Sequence, residues 1–161
     1  MYGCRRRHAR GEGVVVMPLA FRNLDITPEA PVSSWPTEAV QAALERGDLE
    51  HWRRIVAEVK RDPWGRIARQ LEEVLSHSRP YGVADVMDVV LARARQHAED
   101  SEREQVAAEV RDAIARSGLS RSEFASRIGT SPSRLSTYAR GRVTPSATLM
   151  IRMRRVAAQG R

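Results

Sequence analysis

The sequence predicts an all-α protein in which a small N-terminal helical module is joined by a long helix to a C-terminal helical bundle. Three observations predict it. Aromatic residues make up only 5% of the 161-residue chain, which suits helices packed through Leu, Ile, Val and Ala better than a β-sandwich. Apolar residues recur three and four apart along most of the chain. Several of these runs begin at a Ser, Thr or Asp that can cap a helix. The length admits one ordinary domain or two small ones, and two are expected.

Residues 1–31 are expected to be a disordered or extended lead-in. The opening MYGCRRRHARGEGVVVM has a basic start, but its apolar stretch is too short for a secretory signal and no small-residue cleavage site follows. Glu12-Gly13 instead read as a translated ribosome-binding tract, with the true start at Met17 or a nearby Val, so that 1–16 are not translated. The other reading is a basic arm that touches DNA backbone. ITPEAPVSSWP, rich in Pro and Ser, continues the lead-in.

An acidic helical module is expected over 32–98. TEAVQAALERG gives a short helix with Val40, Ala43 and Leu44 on one face and Gly47 as its stop. Asp48 caps a second helix carrying Leu49, Trp52, Ile55, Val56 and Val59. Asp62 and Pro63 read as the cap and first residue of a third, whose stripe is Ile67, Ala68, Leu71, Val74 and Leu75. After SRPYG, neither Gly nor Pro occurs from Val83 to Ser117. One long helix is expected there, either continuous through the polar RQHAEDSERE or broken near Ser101. Its first stripe is Val83, Val86, Met87, Val90, Leu91 and Ala94. A second resumes at Val106, Val110, Ala113 and Ile114.

The final module, 99–161, carries the charge. From Arg111 onward eleven arginines face only Asp112 and Glu123, a net of +9. Residues 17–110 carry twelve basic and seventeen acidic residues, a net of −5. Such asymmetry within a chain of net +7 points to nucleic acid. Ser120 and Glu123 have the spacing of a capping box. Ser131 with Pro132, and Thr144 with Pro145, mark two further helix starts. Counting from Arg121, Ala125 is fifth, Gly129 ninth and Leu135 fifteenth. Two helices crossing through a tight turn need a small residue where they approach, a left-handed residue in the turn and an apolar anchor beyond it. Phe124, Ile128 and Tyr138 complete the core.

LSRSEFASRIG, SPSRLSTYARG and the Thr144-Pro145 start together resemble the Xre/Cro/CI-type helix-turn-helix family of phage repressors and bacterial regulators, over about residues 106–157. The resemblance implies a lambda-repressor-like bundle that binds double-stranded DNA as a homodimer on half-sites about 34 Å apart. It implies that helix 131–140 enters the major groove while helix 120–128 crosses the backbone. By position, Arg121 and Arg142 would meet phosphate, with Ser131 at the cap. Pro132, Ser133, Ser136 and Thr137 would face base edges, and Arg134 and Arg140 could serve either role. Arg152, Arg154 and Arg155 are weaker candidates. Short hydroxyls discriminate poorly between bases, so specificity is expected to lean on Arg134, bridging water and DNA shape. WPTEAVQAALERGDLEHWRRIVAEVKRDPWG more loosely resembles an N-terminal segment of actinobacterial Xre-like regulators. One lysine among 27 basic residues fits a GC-rich bacterial source.

Other functions find little support. His51, His77 and His97 lie far apart in sequence, no loop has a phosphate-cradling glycine pattern, and the lone Cys4 forms neither an internal disulfide nor a zinc cluster. Catalysis, cofactor and metal are therefore not expected. Trp35, Trp52 and Trp64 read as core. No apolar run approaches the roughly 20 residues of a membrane span, so a cytoplasmic, nucleoid-associated regulator is expected. For residues 32–98 three tasks compete: dimerisation, effector sensing, and neutralising a toxin as the antitoxin of a type II toxin–antitoxin pair that regulates its own expression.

Overall fold

The computed structural model describes residues 19–160, and the readings of Cys4 and of a start at Met17 lie outside them. The described chain is all α. A 3₁₀ turn, Val32–Ser34, precedes α1 (Thr37–Arg46), α2 (Leu49–Arg61), α3 (Arg66–His77), α4 (Ala84–Ser117), α5 (Arg121–Ile128), α6 (Pro132–Ala139) and α7 (Ala147–Ala158).

Two hydrophobic cores form, and α4 supplies a wall of each. In the first, Val40, Ala43 and Leu44 of α1, Ile55 and Val59 of α2, and the full expected stripe of α3 close on Val83, Met87, Leu91 and Ala94. Trp35, wholly buried, sits at its edge. The Phe21 ring meets it edge-on at 5.0 Å, and the Arg54 guanidinium lies 5.2 Å from its centroid. Arg54 also donates to the carbonyls of Pro28 (2.5 Å) and Ala30 (2.6 Å). A cation over an aromatic face is thus tied by charge-assisted bonds to the chain that leads into α1. The lead-in lacks long helix, as its prolines require, yet Leu19, Phe21, Leu24 and Ile26 pack on this core.

α4 is continuous for 34 residues, with no break at Ser101. Within its polar stretch Asp100 accepts from Gln96 (3.1 Å) and Arg103 (2.9 Å), and Gln105 donates to Ser101. Such pairs three and four apart hold a helix surface that buries nothing. Farther back, Arg95 reaches Glu72 (2.5 Å) and the carbonyl of Pro63 (3.2 Å), anchoring α4 to α3.

Several local expectations are corrected. α3 starts at Arg66 rather than at Pro63. Gly65 N–H donates to Asp62 O, closing a turn in which Pro63 takes the second place, a position that suits its fixed φ as well as a helix start does. Ser146, not Thr144, caps α7 by accepting from Leu149 N–H, and Pro145 precedes the cap. Gly47 ends α1 with extended backbone; a Cβ there would stand 2.3 Å from Ala43 O, so crowding and not handedness selects glycine. Leu49 and Val86 are exposed at 55% and 57%, and Trp64 at 42%. Val86 fails because the buried stripe of α4 runs through Met87, about 100° round the helix.

Trp35→Ala is expected to lower the unfolding free energy by about 3–5 kcal/mol in chemical denaturation. Trp64→Ala should change it by no more than about 0.5 kcal/mol.

Candidate nucleic-acid interface

The second core is built where α4, α5, α6 and α7 meet. Val110 and Ala113 of α4 pack with Phe124, Ala125 and Ile128 of α5, Leu135, Tyr138 and Ala139 of α6, and Met150, Met153, Val156 and Ala157 of α7. Ala125 is wholly buried, as a close helix approach demands.

Local chemistry starts and stops the two central helices. Ser120 Oγ accepts from Glu123 N–H (3.3 Å), while the Glu123 carboxylate accepts from Ser120 N–H (3.0 Å) and Oγ (2.6 Å). This reciprocal box satisfies N–H groups that α5 cannot use internally. At the other end Gly129 adopts φ +76°, with its N–H to Ser126 O and Thr130 N–H to Ala125 O, a Schellman turn. Ser131 accepts from Arg134 N–H at 3.2 Å and Pro132 opens α6. α6 closes the same way: Gly141 at φ +68°, its N–H to Tyr138 O, and Arg142 N–H to Thr137 O.

The outer surface of α6 follows from its buried one. Leu135, Tyr138 and Ala139 face the core, and at about 100° per residue Ser133, Thr137 and Arg140 lie opposite. Ser136 and Arg134 flank them. Ser131, Ser133, Arg134, Arg140 and Arg142 are exposed, as is Arg121 at the first turn of α5, while Ser136 and Thr137 are half-buried. Thr137 Oγ1 donates to Arg134 O at 2.7 Å, so that hydroxyl proton is already used and its methyl and lone pairs remain to face outward.

The arginines divide into two sets. Arg116 pairs with Asp112 (2.9 Å) and Arg154 with Glu109 (2.5 Å). That bond from Arg154, more than its charge, holds the Glu109 carboxyl below its usual range, and Arg154 is a structural clamp between α4 and α7. Arg111 donates to Ala139 O (2.8 Å) and to Glu104 (2.7 Å), fixing the last turn of α6 to α4. This contact spans 28 residues and no local pattern announces it. Arg121, Arg127, Arg134, Arg140, Arg142, Arg152 and Arg155 have no acidic partner within 4 Å among the described residues. From Ala113 to Arg161 the one acidic residue is Glu123, and its carboxylate is held in the capping box.

That box predicts a pH dependence. Bonds from the Ser120 side chain and then its backbone N–H lower the Glu123 pKa, so its contribution is present above the unfolded value of about 4.3 and is lost as pH falls through the folded value. Glu123→Gln should flatten the acid limb of stability against pH, read by thermal melts between about pH 3 and 7. Gly129→Ala should cost about 1–2 kcal/mol at neutral pH, because a Cβ disfavours the left-handed backbone.

Among the described residues no helix is long and apolar enough to cross a membrane, and no three His, Cys, Asp or Glu side chains are placed to hold a metal ion. No curated protein and no solved structure matches the chain. Residues 103–156 match the family model described as helix-turn-helix. That span takes in the C-terminal part of α4 together with α5, α6 and most of α7. The family is a non-catalytic DNA-binding module, and residues 103–156 of this chain are a helix-turn-helix domain of the Xre/Cro/CI type.

Proposed function

We propose that the chain is a sequence-specific transcriptional regulator that lays α6 in the major groove of duplex DNA while α5 crosses the backbone. The observation that carries this reading is the set of arginines without acidic partners on α5, α6, the following loop and α7. Unneutralised guanidinium groups release counterions on meeting phosphates, and that release is the main source of affinity in such complexes. Arg121 and Arg142 bind phosphate at either end of the interface. Ser133, Ser136, Thr137 and Arg134 face base edges, and Arg134 supplies the bidentate donor that the short hydroxyls lack. Ser131 presents its free hydroxyl proton to the backbone, and Arg140 flanks the groove.

Residues 99–161 act as the DNA-binding unit and 32–98 as a protein-binding unit. The regulator works as a homodimer on half-sites one helical turn or a multiple apart, in the cytoplasm of a GC-rich bacterium. A second reading, an antitoxin that holds its toxin through 32–98, is favoured by the separate hydrophobic core on that side of α4. A toxin gene overlapping or adjoining this reading frame supports it, and the lack of one removes it.

Arg134→Ala and Arg142→Ala should each weaken DNA binding in gel shifts, and Arg142→Ala should reduce the slope of log K against log salt by about one. Arg154→Ala, which loses only its bond to Glu109, should leave that slope unchanged. Unaltered binding in both the Arg134 and Arg142 variants would contradict the groove assignment.

A further inference from the structure

Val86 and Val89 are 57% and 48% exposed on α4. With Val90 they floor an open groove of about 950 Å³ whose rim includes Lys60 of α2, Asp85 and Arg93. The groove shares Ala94, and Val90 beside it, with the edge of the first core, and no residue of α5, α6 or α7 lines it. We propose that it receives a second copy of this chain, α4 against α4 in antiparallel fashion, with Val89 at the two-fold axis.

The charge pattern selects that occupant. Residues four apart on a helix form one ridge, and ridges of this kind pack between helices in a common class of crossing. Asp85, Val89, Arg93 and His97 follow at that interval along the exposed side of α4. The ridge is acidic before Val89 and basic after it. A two-fold axis through Val89 reverses the order in the second copy, so Asp85 faces the partner's Arg93 and Arg93 faces the partner's Asp85. Each contact occurs twice, as in any isologous interface. Parallel pairing would set like charges together, and a foreign helix of one charge sign would match only one end.

The needed groups are at hand. Arg93 has no acidic partner within 4 Å among the described residues. Asp85, with its side chain 98% exposed, accepts from Arg79, which also holds Asp88 at 2.9 Å and keeps it when Asp85 turns outward. The pairing deepens the paired-half-site reading and rests on it for its purpose, but it requires no DNA.

Sedimentation velocity on the full chain tests it. The wild-type chain should dimerise, and Val89→Glu, with unchanged circular dichroism and melting, should raise the dimer Kd about 100-fold. Asp85→Arg and Arg93→Asp should each raise it about 10-fold, and the double variant should return to within about 3-fold of wild type. A wild-type monomer at about 100 μM overturns the proposal. So does a dimer indifferent to Val89→Glu, or a double variant weaker than either single one. Gel shifts on a random-sequence duplex of about 24 base pairs at low salt separate the two readings. A Val89→Glu monomer that still binds is expected; a dimer with no DNA binding in any variant would remove the regulator reading and leave this one standing.

Discussion

One helix is a wall of two cores, and that constraint organises the chain. α4 gives Met87, Leu91 and Ala94 to the first core and Val110 and Ala113 to the second. Between them lies a polar stretch held by its own side-chain pairs. A buried stripe on one helix can serve two cores only if the helix does not break, because a kink would swing one stripe away from its partners. Continuity of backbone bonding through residues 95–105 is therefore what links the acidic half of the protein to the basic half.

The helix-turn-helix half then depends on where α6 sits. Its first turn is set by Ser131 and the Gly129 Schellman turn, and its last by Gly141 and by Arg111 reaching from α4 to Ala139 O. With both ends held, the outward face is decided by the three side chains that point inward. Neutralisation is equally directed. Glu104 and Asp112 engage Arg111 and Arg116 within α4, Glu109 engages Arg154 of α7, and the arginines on the outer face are left without acidic partners among the described residues.

What was legible in the sequence is what is local. The Ser120-Glu123 box, the Ser131-Pro132 start and the glycine at 129 act within a few residues, so spacing alone reveals them. Pro63 and Pro145 misled because a proline with fixed φ fits a turn, or the residue before a cap, as readily as a first helical position. Val86 misled because adjacent helical positions differ by only about 100°, and which valines meet a neighbour depends on where α2 and α3 lie. Arg111 and Arg154 were opaque for the same reason: their partners are 28 and 45 residues away. The residues expected to face DNA were named from the family resemblance, and the structure puts Arg121, Ser133, Arg134, Arg140 and Arg142 at the surface.

The central claim is that duplex DNA meets the outer face of α6 and its flanks. An amide NMR titration of the full chain with a random-sequence duplex tests it most directly. The account predicts shifts clustered at Arg121, from Ser131 to Thr137, and from Arg140 to Arg142, with α1 to α3 undisturbed. Shifts centred on α1 to α3, or on the exposed valines of α4, would contradict it.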